Sequence, residues 1–267
     1  MNQLRRLTLS AALLLATALT GCALFKPVVE PQARQALAPS GTLRVGVYPG
    51  SPTSLVTNAK TGEKAGVALE LGTELARQLG VPVQVVEFSR LALVLESLKT
   101  GQVDMTFTNA TEVRARDMDF VPPMLRIELG YLVAKTSSIT QPSDVLLSGV
   151  RVGVSQGSTS QATYARDYKS VTVLPMASLK EAQESLRQRK IDVFATNKGI
   201  LFEMSDGLPD FRVLDGRWGF ENMAIAIPKG RDAGRPFVAQ FAQEVRSSGL
   251  LQSVVARAGL RGTVNAP

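Results

Sequence analysis

Two segments of this chain occur twice, in the same order. RVGVYPGS at 44–51 is matched by RVGVSQGS at 151–158, with six of eight residues identical, and ESLKTGQVDMTFTN at 96–109 by ESLRQRKIDVFATN at 184–197, with six of fourteen identical and no gap. Converging composition in two βαβ units would produce such a match as well as duplication would. The physical content is the same either way: each half runs a strand into Gly-Ser and ends a later strand in Thr-Asn. In open parallel sheets ligands bind beyond the carboxyl ends of the strands, so each half presents Gly-Ser amides and a Thr-Asn pair at a binding edge. Two such edges facing each other make a polar cleft.

Periodicity between the matched segments supports alternating strands and helices. Thr42 to Val47 reads as a strand. Leu71, Leu75 and Leu79 mark a helix over 67–79 ended by Gly80. Val81 to Phe88 is rich in β-formers, Leu91 to Leu98 predicts a second helix stopped by Gly101, and Val103, Met105 and Phe107 alternate as a third strand. The second half predicts strands at 150–154, 171–175 and 191–195, with helices from about Ser158 and over 179–187. This is an α/β fold class, and the alternation predicts parallel sheets covered on both faces.

Of the 267 residues none is His and one is Cys. Ser–His and Cys–His nucleophile pairs, His-ligated zinc and an internal disulfide are therefore excluded. Neither a metal nor another cofactor is expected, and no Gly-x-x-x-x-Gly-Lys-Ser/Thr loop for ATP occurs. The single Cys lies in MNQLRRLTLSAALLLATALTGC. Arg5 and Arg6 precede an apolar run too short for a comfortable membrane span. Leu19-Thr20-Gly21-Cys22 resembles the bacterial lipoprotein cleavage box, which implies a signal peptide at 1–21 and a lipidated Cys22. Acyl chains there would hold the chain on a membrane, on its extracytoplasmic face. Residues 22–41, with three prolines in 23–41 and little periodicity, read as a tether. Loss of Arg5 and Arg6 lowers the formal charge from +7 to +5. The basic residues are scattered, without the aromatic interleaving that nucleic acid calls for.

Gly101-Gln-Val-Asp104, Thr111-Glu-Val-Arg114 and Met118-Asp-Phe-Val121 follow one another, with Gly66-Val-Ala-Leu-Glu-Leu71, Gly153-Val-Ser-Gln-Gly-Ser-Thr159 and Ala224-Ile-Ala-Ile-Pro-Lys-Gly230 around them. Over about residues 42–262 this order resembles the extracellular solute-binding proteins of ABC importers, family 3, the amino-acid-type group. The resemblance implies two Rossmann-like α/β lobes joined by two crossover strands, a periplasmic binding protein type II-like architecture. Lobe 1 would run from 42 to 132 and return over 223–262 with two C-terminal helices, lobe 2 would span 133–222, and 263–267 would be a tail. The crossings would fall near Tyr131–Lys135 and Met223–Pro228. The protein would be a monomer and no enzyme, closing on a small anionic or zwitterionic solute and docking on a membrane permease.

The same resemblance assigns candidate ligand contacts. Arg114 matches the Arg that grips a ligand carboxylate, a fork that Lys does not reproduce. Ser158 and Thr159 open a predicted helix after Gly157, where free amides favour an anion, and either could simply cap that helix. Thr108, Asn109 and Thr111 match the hydrogen-bonding segment of lobe 1, and Ser51 belongs to its Gly-Ser turn. Asn197 stands where amino-acid binders of the family place an Asp facing the ligand ammonium, and Ala68 also replaces an Asp. The loop Pro49–Ser54 lacks the family's aromatic. These departures leave Arg114 without an anionic counterpart and suggest a ligand that is not a standard α-amino acid. Trp218 would either line the cleft or pack at the hinge. Two other functions fit the same scaffold: a periplasmic lyase or dehydratase using Glu112 or Glu221 as general acid, and a sensor lipoprotein with a degenerate pocket.

Overall fold

A computed structural model describes residues 29–264 apart from Ala59. The expected signal peptide, Cys22 and the first part of the expected tether lie outside the described residues. The tether reading is corrected from Pro31 onward. Pro31–Leu37 is a helix (α1) opened by proline at its first turn, with Ala33 and Leu37 buried. That single i, i+4 apolar pair is too short to register as a period among prolines. Arg34 Nε donates to the Leu79 carbonyl at 2.9 Å, and Arg231 donates to the Ala36 carbonyl, so α1 is fastened to lobe 1.

Lobe 1 continues with β1 (Leu43–Val47), the small β2 (Val56–Thr57) and β3 (Lys64–Ala65), α2 (Val67–Leu79), β4 (Val83–Glu87), α3 (Leu91–Lys99), β5 (Thr106–Asn109) and β6 (Met118–Phe120). β7 (Leu125–Ala134) leads into lobe 2, made of β8 (Arg151–Ser155), α4 (Thr159–Asp167), β9 (Thr172–Met176), α5 (Leu179–Arg187), β10 (Val193–Asn197), α6 (Lys198–Asp206) and β11 (Phe211–Val213). β12 (Gly219–Pro228) leads back, and α7 (Arg235–Ser247), α8 (Leu250–Arg257) and β13 (Thr263–Val264) follow. The C-terminal helices return to lobe 1, where Phe241, Val245 and Val254 join Val45, Leu71 and Phe107 in one core. Lobe 2 has an apolar cluster around Tyr131 and Val152 and another around Phe194 and Leu201.

The pairing is parallel between β1 and β4 and among β10, β8 and β9. The expectation of wholly parallel sheets is corrected at β7 and β12. These run antiparallel to each other over 125–129 and 219–223, β7 then pairs antiparallel with β10, and β12 with β5. A strand that enters a lobe and one that leaves it run in opposite directions, so the crossing pair is antiparallel. The lobes part along 125–129 and 219–223, several residues before the crossings expected from the sequence. The expected tail at 263–267 is also corrected at its start, since Thr263 and Val264 pair with Ile127 and Arg126.

The repeated segments pack against each other in the same way in both lobes. Arg44 N and Nε donate to Asp104 Oδ2 at 2.9 and 2.8 Å; Arg151 N and Nε donate to Asp192 Oδ2 at 2.8 and 3.0 Å. A Cβ on Gly46 would lie 3.0 Å from Val103, and one on Gly153 2.4 Å from Ile191, the matching residue. Asp104 is fully buried and also meets Arg231 at 3.0 Å, whereas the side chains of the Asp192–Arg151 pair are a third or more exposed. Removing the buried carboxylate that pairs two partly buried guanidinium groups costs up to about 3–5 kcal/mol, while an exposed pair contributes about 1 kcal/mol or less. Asp104→Ala should therefore lower the urea midpoint several times more than Asp192→Ala.

Gly66 sets the loop that forms one lip of the cleft. Its φ is +156°, and a Cβ would lie 2.1 Å from the Ser54 carbonyl oxygen. This close approach lets Val67 N and Ala68 N donate to Pro52 O and Thr53 O at 3.0 and 3.1 Å, fixing Thr53 beside the first turn of α2. Gly66→Ala meets backbone rather than a movable side chain. It should cost about 3 kcal/mol or more in thermal or urea unfolding, among the larger single-residue effects.

Candidate functional site

The carboxyl ends of β1, β5, β8 and β10 meet at the seam between the lobes. Arg114 lies there on a 3₁₀ turn over Arg114–Arg116, and it is 9% exposed. Thr111 Oγ1 accepts from Arg114 N at 3.2 Å, so Thr111 shapes the turn that delivers the guanidinium. Arg114 Nη1 donates to Thr108 Oγ1 at 2.9 Å and to Asn109 O at 3.2 Å. Nη2 reaches across the seam to the Gly157 carbonyl at 3.5 Å, the limit of a hydrogen bond. Burial lowers the pKa of Arg114, and the negative charge of Glu221 opposes that shift. A guanidinium remains charged at physiological pH.

On the lobe 2 side, Ser158 caps α4 by accepting from Gln161 N at 3.1 Å and also lines the seam. Thr159 Oγ1 accepts from Asn109 Nδ2 at 3.3 Å and donates to Glu221 Oε1 at 3.1 Å. Asn197 has two roles, one for each end of its amide. Oδ1 caps α6 by accepting from Ile200 N at 3.1 Å, and Nδ2 donates to Glu221 Oε2 at 2.8 Å. A chain of hydrogen bonds thus runs from lobe 1 through Asn109 and Thr159 to Glu221 on β12, and on to Asn197 in lobe 2. Ser51 is fully buried and bonds Thr53 at 2.9 Å, so it supports the loop while Thr53 faces the seam.

Tyr48 was missed from the sequence, and Glu221 was expected there only as a candidate general acid. Tyr48 lines the seam one residue before the loop that seemed to lack an aromatic. Leu43, Val45 and Val47 are buried in the lobe 1 core, so strand alternation sends Tyr48 to the other side, just past the end of β1. The strand-end rule that singled out Gly-Ser could have singled it out too. Burial pushes the Tyr48 phenol up to about 12, and the Glu221 charge adds to the rise. Glu221 corrects the expectation that Arg114 has no anionic counterpart. It is 8% exposed at the seam, placed by the register that pairs it with Ile127. No local motif marked that placement; only the pairing of β12 with β7 creates it. Ala68 is buried at the start of α2. Glu112 is exposed, and both oxygens of Glu221 are held by hydrogen bonds. Trp218 packs in lobe 2, with its ring 6.1 Å from Tyr131 and 5.5 Å from Tyr164, and Nε1 donates to Gly130 O at 3.1 Å.

The seam is nearly shut. Its cavity is ≈ 20 Å³, room for about one water, against ~300 Å³ or more for an ordinary ligand pocket. Gly157 lies against Ala92 and Gly50 against Leu179, one contact across the lobes at each lip. The lobes are in a closed arrangement, and any solute larger than water must part them to enter.

The family model of bacterial extracellular solute-binding proteins, family 3, matches residues 43–259. Among curated proteins the chain is 26% identical over 193 residues to a glutamine-binding protein of Geobacillus stearothermophilus, covering 71% of this chain and 73% of that one. It is 29% identical over 155 residues to a histidine-binding periplasmic protein of Salmonella typhimurium, covering 56% and 58%. Among solved structures, a solute receptor for L-cysteine of Neisseria gonorrhoeae superposes with a TM-score of 0.75 at 25% identity, covering 84% of this chain and 92% of that one. A mutant of ArgBP from T. maritima gives a TM-score of 0.76 at 22% identity over 85% and 99%. A family match spanning both lobes and both crossings, on a fold closed over a charged seam, places this chain among the bacterial extracellular solute-binding proteins of family 3.

Proposed function

We propose that this protein captures a small amino acid between its lobes and delivers it to the membrane permease of an ABC importer, held at the membrane through lipid on Cys22. The observation that carries the reading is Arg114. Its guanidinium is buried between the lobes with Nη2 held by one long contact, so a carboxylate entering the seam gains a charge-assisted pair of hydrogen bonds at small cost to the protein. The relatives named for glutamine and histidine, and the receptor named for L-cysteine, support an amino acid as the solute. Glu221 argues against a purely anionic solute, since a second carboxylate beside it would be repelled.

The ligand acts by differential contact. Only interactions that exist with the lobes closed and not open shift the hinge equilibrium. Arg114 from lobe 1 and Ser158, Thr159 and Asn197 from lobe 2 meet the solute together only in the closed form. The closed form is then the one the permease receives.

Calorimetric titration with neutral, acidic and basic amino acids tests this. Arg114→Ala should weaken binding of the preferred amino acid by about 100-fold or more. Arg114→Lys should not restore it, because an ammonium cannot fork onto a carboxylate. Binding undiminished in Arg114→Ala would refute the reading. The anchor is tested separately: expressed as the full chain, wild type should partition into the detergent phase of a cloud-point extraction, and Cys22→Ala should move it to the aqueous phase.

A further inference from the structure

Resting on the amino-acid reading above, we infer that Glu221 is the residue that recognises the ligand's α-ammonium, in place of an acid at position 197, and that it restricts the ligand to α-amino acids with an uncharged side chain. Three observations carry this. The first is placement. Asn197 is neutral, but its Nδ2 holds Glu221 Oε2 at 2.8 Å, so a carboxylate stands beside the amide that lacks the charge. It arrives there from the crossover strand rather than from the end of β10.

The second is incomplete compensation. Glu221 is buried, yet its hydrogen-bond partners, Thr159 and Asn197, are both neutral. With Arg114 acting on it only through its field, a carboxylate hydrogen-bonded solely by neutral donors keeps part of its desolvation cost. Each of its oxygens accepts a further hydrogen bond, so an ammonium entering the seam completes it.

The third is the charge inventory. Among the described residues that line the cavity, Arg114 and Glu221 are the charged ones, and the apolar and aromatic wall is Tyr48, Leu91, Phe107, Ile200 and Met223. One cation and one anion match the two ends of a zwitterion and leave no counter-charge for an ionised side chain. An arginine, lysine or glutamate ligand would bury an unpaired charge against that wall.

The test measures a ratio, so that overall loss of binding is separated from loss of ammonium recognition. Wild type, E221Q and the double variant E221Q/N197D are titrated with alanine, serine, cysteine and glutamine, each beside the α-hydroxy acid that carries a hydroxyl in place of the ammonium. Arginine and glutamate serve as charged probes, and thermal melts check folding. Wild type should prefer the best neutral amino acid over its hydroxy counterpart by about 100-fold. In E221Q that preference should collapse to within a few-fold. In E221Q/N197D it should recover at least about tenfold, because the acid returns at 197, where it still caps α6. The double variant keeps a donor–acceptor pair between 197 and 221 with its polarity reversed, and it carries the test if E221Q alone is unstable. An unchanged ratio in E221Q, or no recovery in the double variant, overturns the role of Glu221. Tightest binding of arginine or glutamate overturns the neutral-side-chain restriction. Failure of folded wild type to bind any of these amino acids overturns the amino-acid reading itself, and this proposal with it.

Discussion

A guanidinium buried at the seam between two lobes is the constraint around which the rest of this structure is arranged. Such a charge is costly to remove from water unless it is hydrogen-bonded and balanced. Arg114 is hydrogen-bonded within lobe 1 by Thr108 and the Asn109 carbonyl, and it is balanced by the charge of Glu221 on the crossover strand β12. Opening the seam rehydrates both groups, and closing it requires that their charges be matched again, by each other or by a solute lying between them.

The matched segments give the two lobes complementary edges. In each, the Arg of the first repeated segment pairs with the Asp of the second, and the glycine of the first makes room for the apolar residue before that Asp. The two Asn residues that end the second segments then reach adjacent residues of β12. Asn109 Oδ1 accepts from Asn222 N at 2.8 Å, and Asn197 Nδ2 donates to Glu221 Oε2. The crossover strand is thus gripped from both sides at the position where it carries its carboxylate, and similar sequence at the two edges produces dissimilar chemistry because one Asn turns its oxygen to the strand and the other its amide nitrogen.

This determines what could be read without coordinates. Strands, helices and the residues at their carboxyl ends follow from local periodicity and turn chemistry, so β1, α2, α3, β8, α5 and β10 stand close to where their patterns place them, and Arg114, Ser158, Thr159 and Asn197 stand together at the seam. Features set by pairing between distant segments were not legible. The antiparallel β7–β12 crossing, the strand at Thr263–Val264 and the packing of α1 under lobe 1 depend on long-range contacts that leave no period in the chain. Glu221 is the functional instance of the same limit. Its segment, Gly216-Arg-Trp-Gly-Phe-Glu221, offered it only as a candidate general acid, and its place beside Asn197 and Thr159 comes from register. Asn197 is neutral, and the carboxylate that stands beside it comes from a distant segment.

The closed seam also says which contacts a solute would have to displace. Glu221 already accepts two hydrogen bonds and gains from a third donor without surrendering either, so an ammonium adds to the existing network. Arg114 keeps Thr108 and Asn109 O through Nη1 and gives up only the 3.5 Å contact of Nη2 with Gly157 O. The interaction that yields is therefore a long one bridging the lobes, and a carboxylate that replaces it is a stronger acceptor. A solute entering the ≈ 20 Å³ seam requires the lobes to part. What a solute carboxylate would exchange is a long contact of the Arg114 guanidinium with a neutral carbonyl for shorter contacts with a charged acceptor.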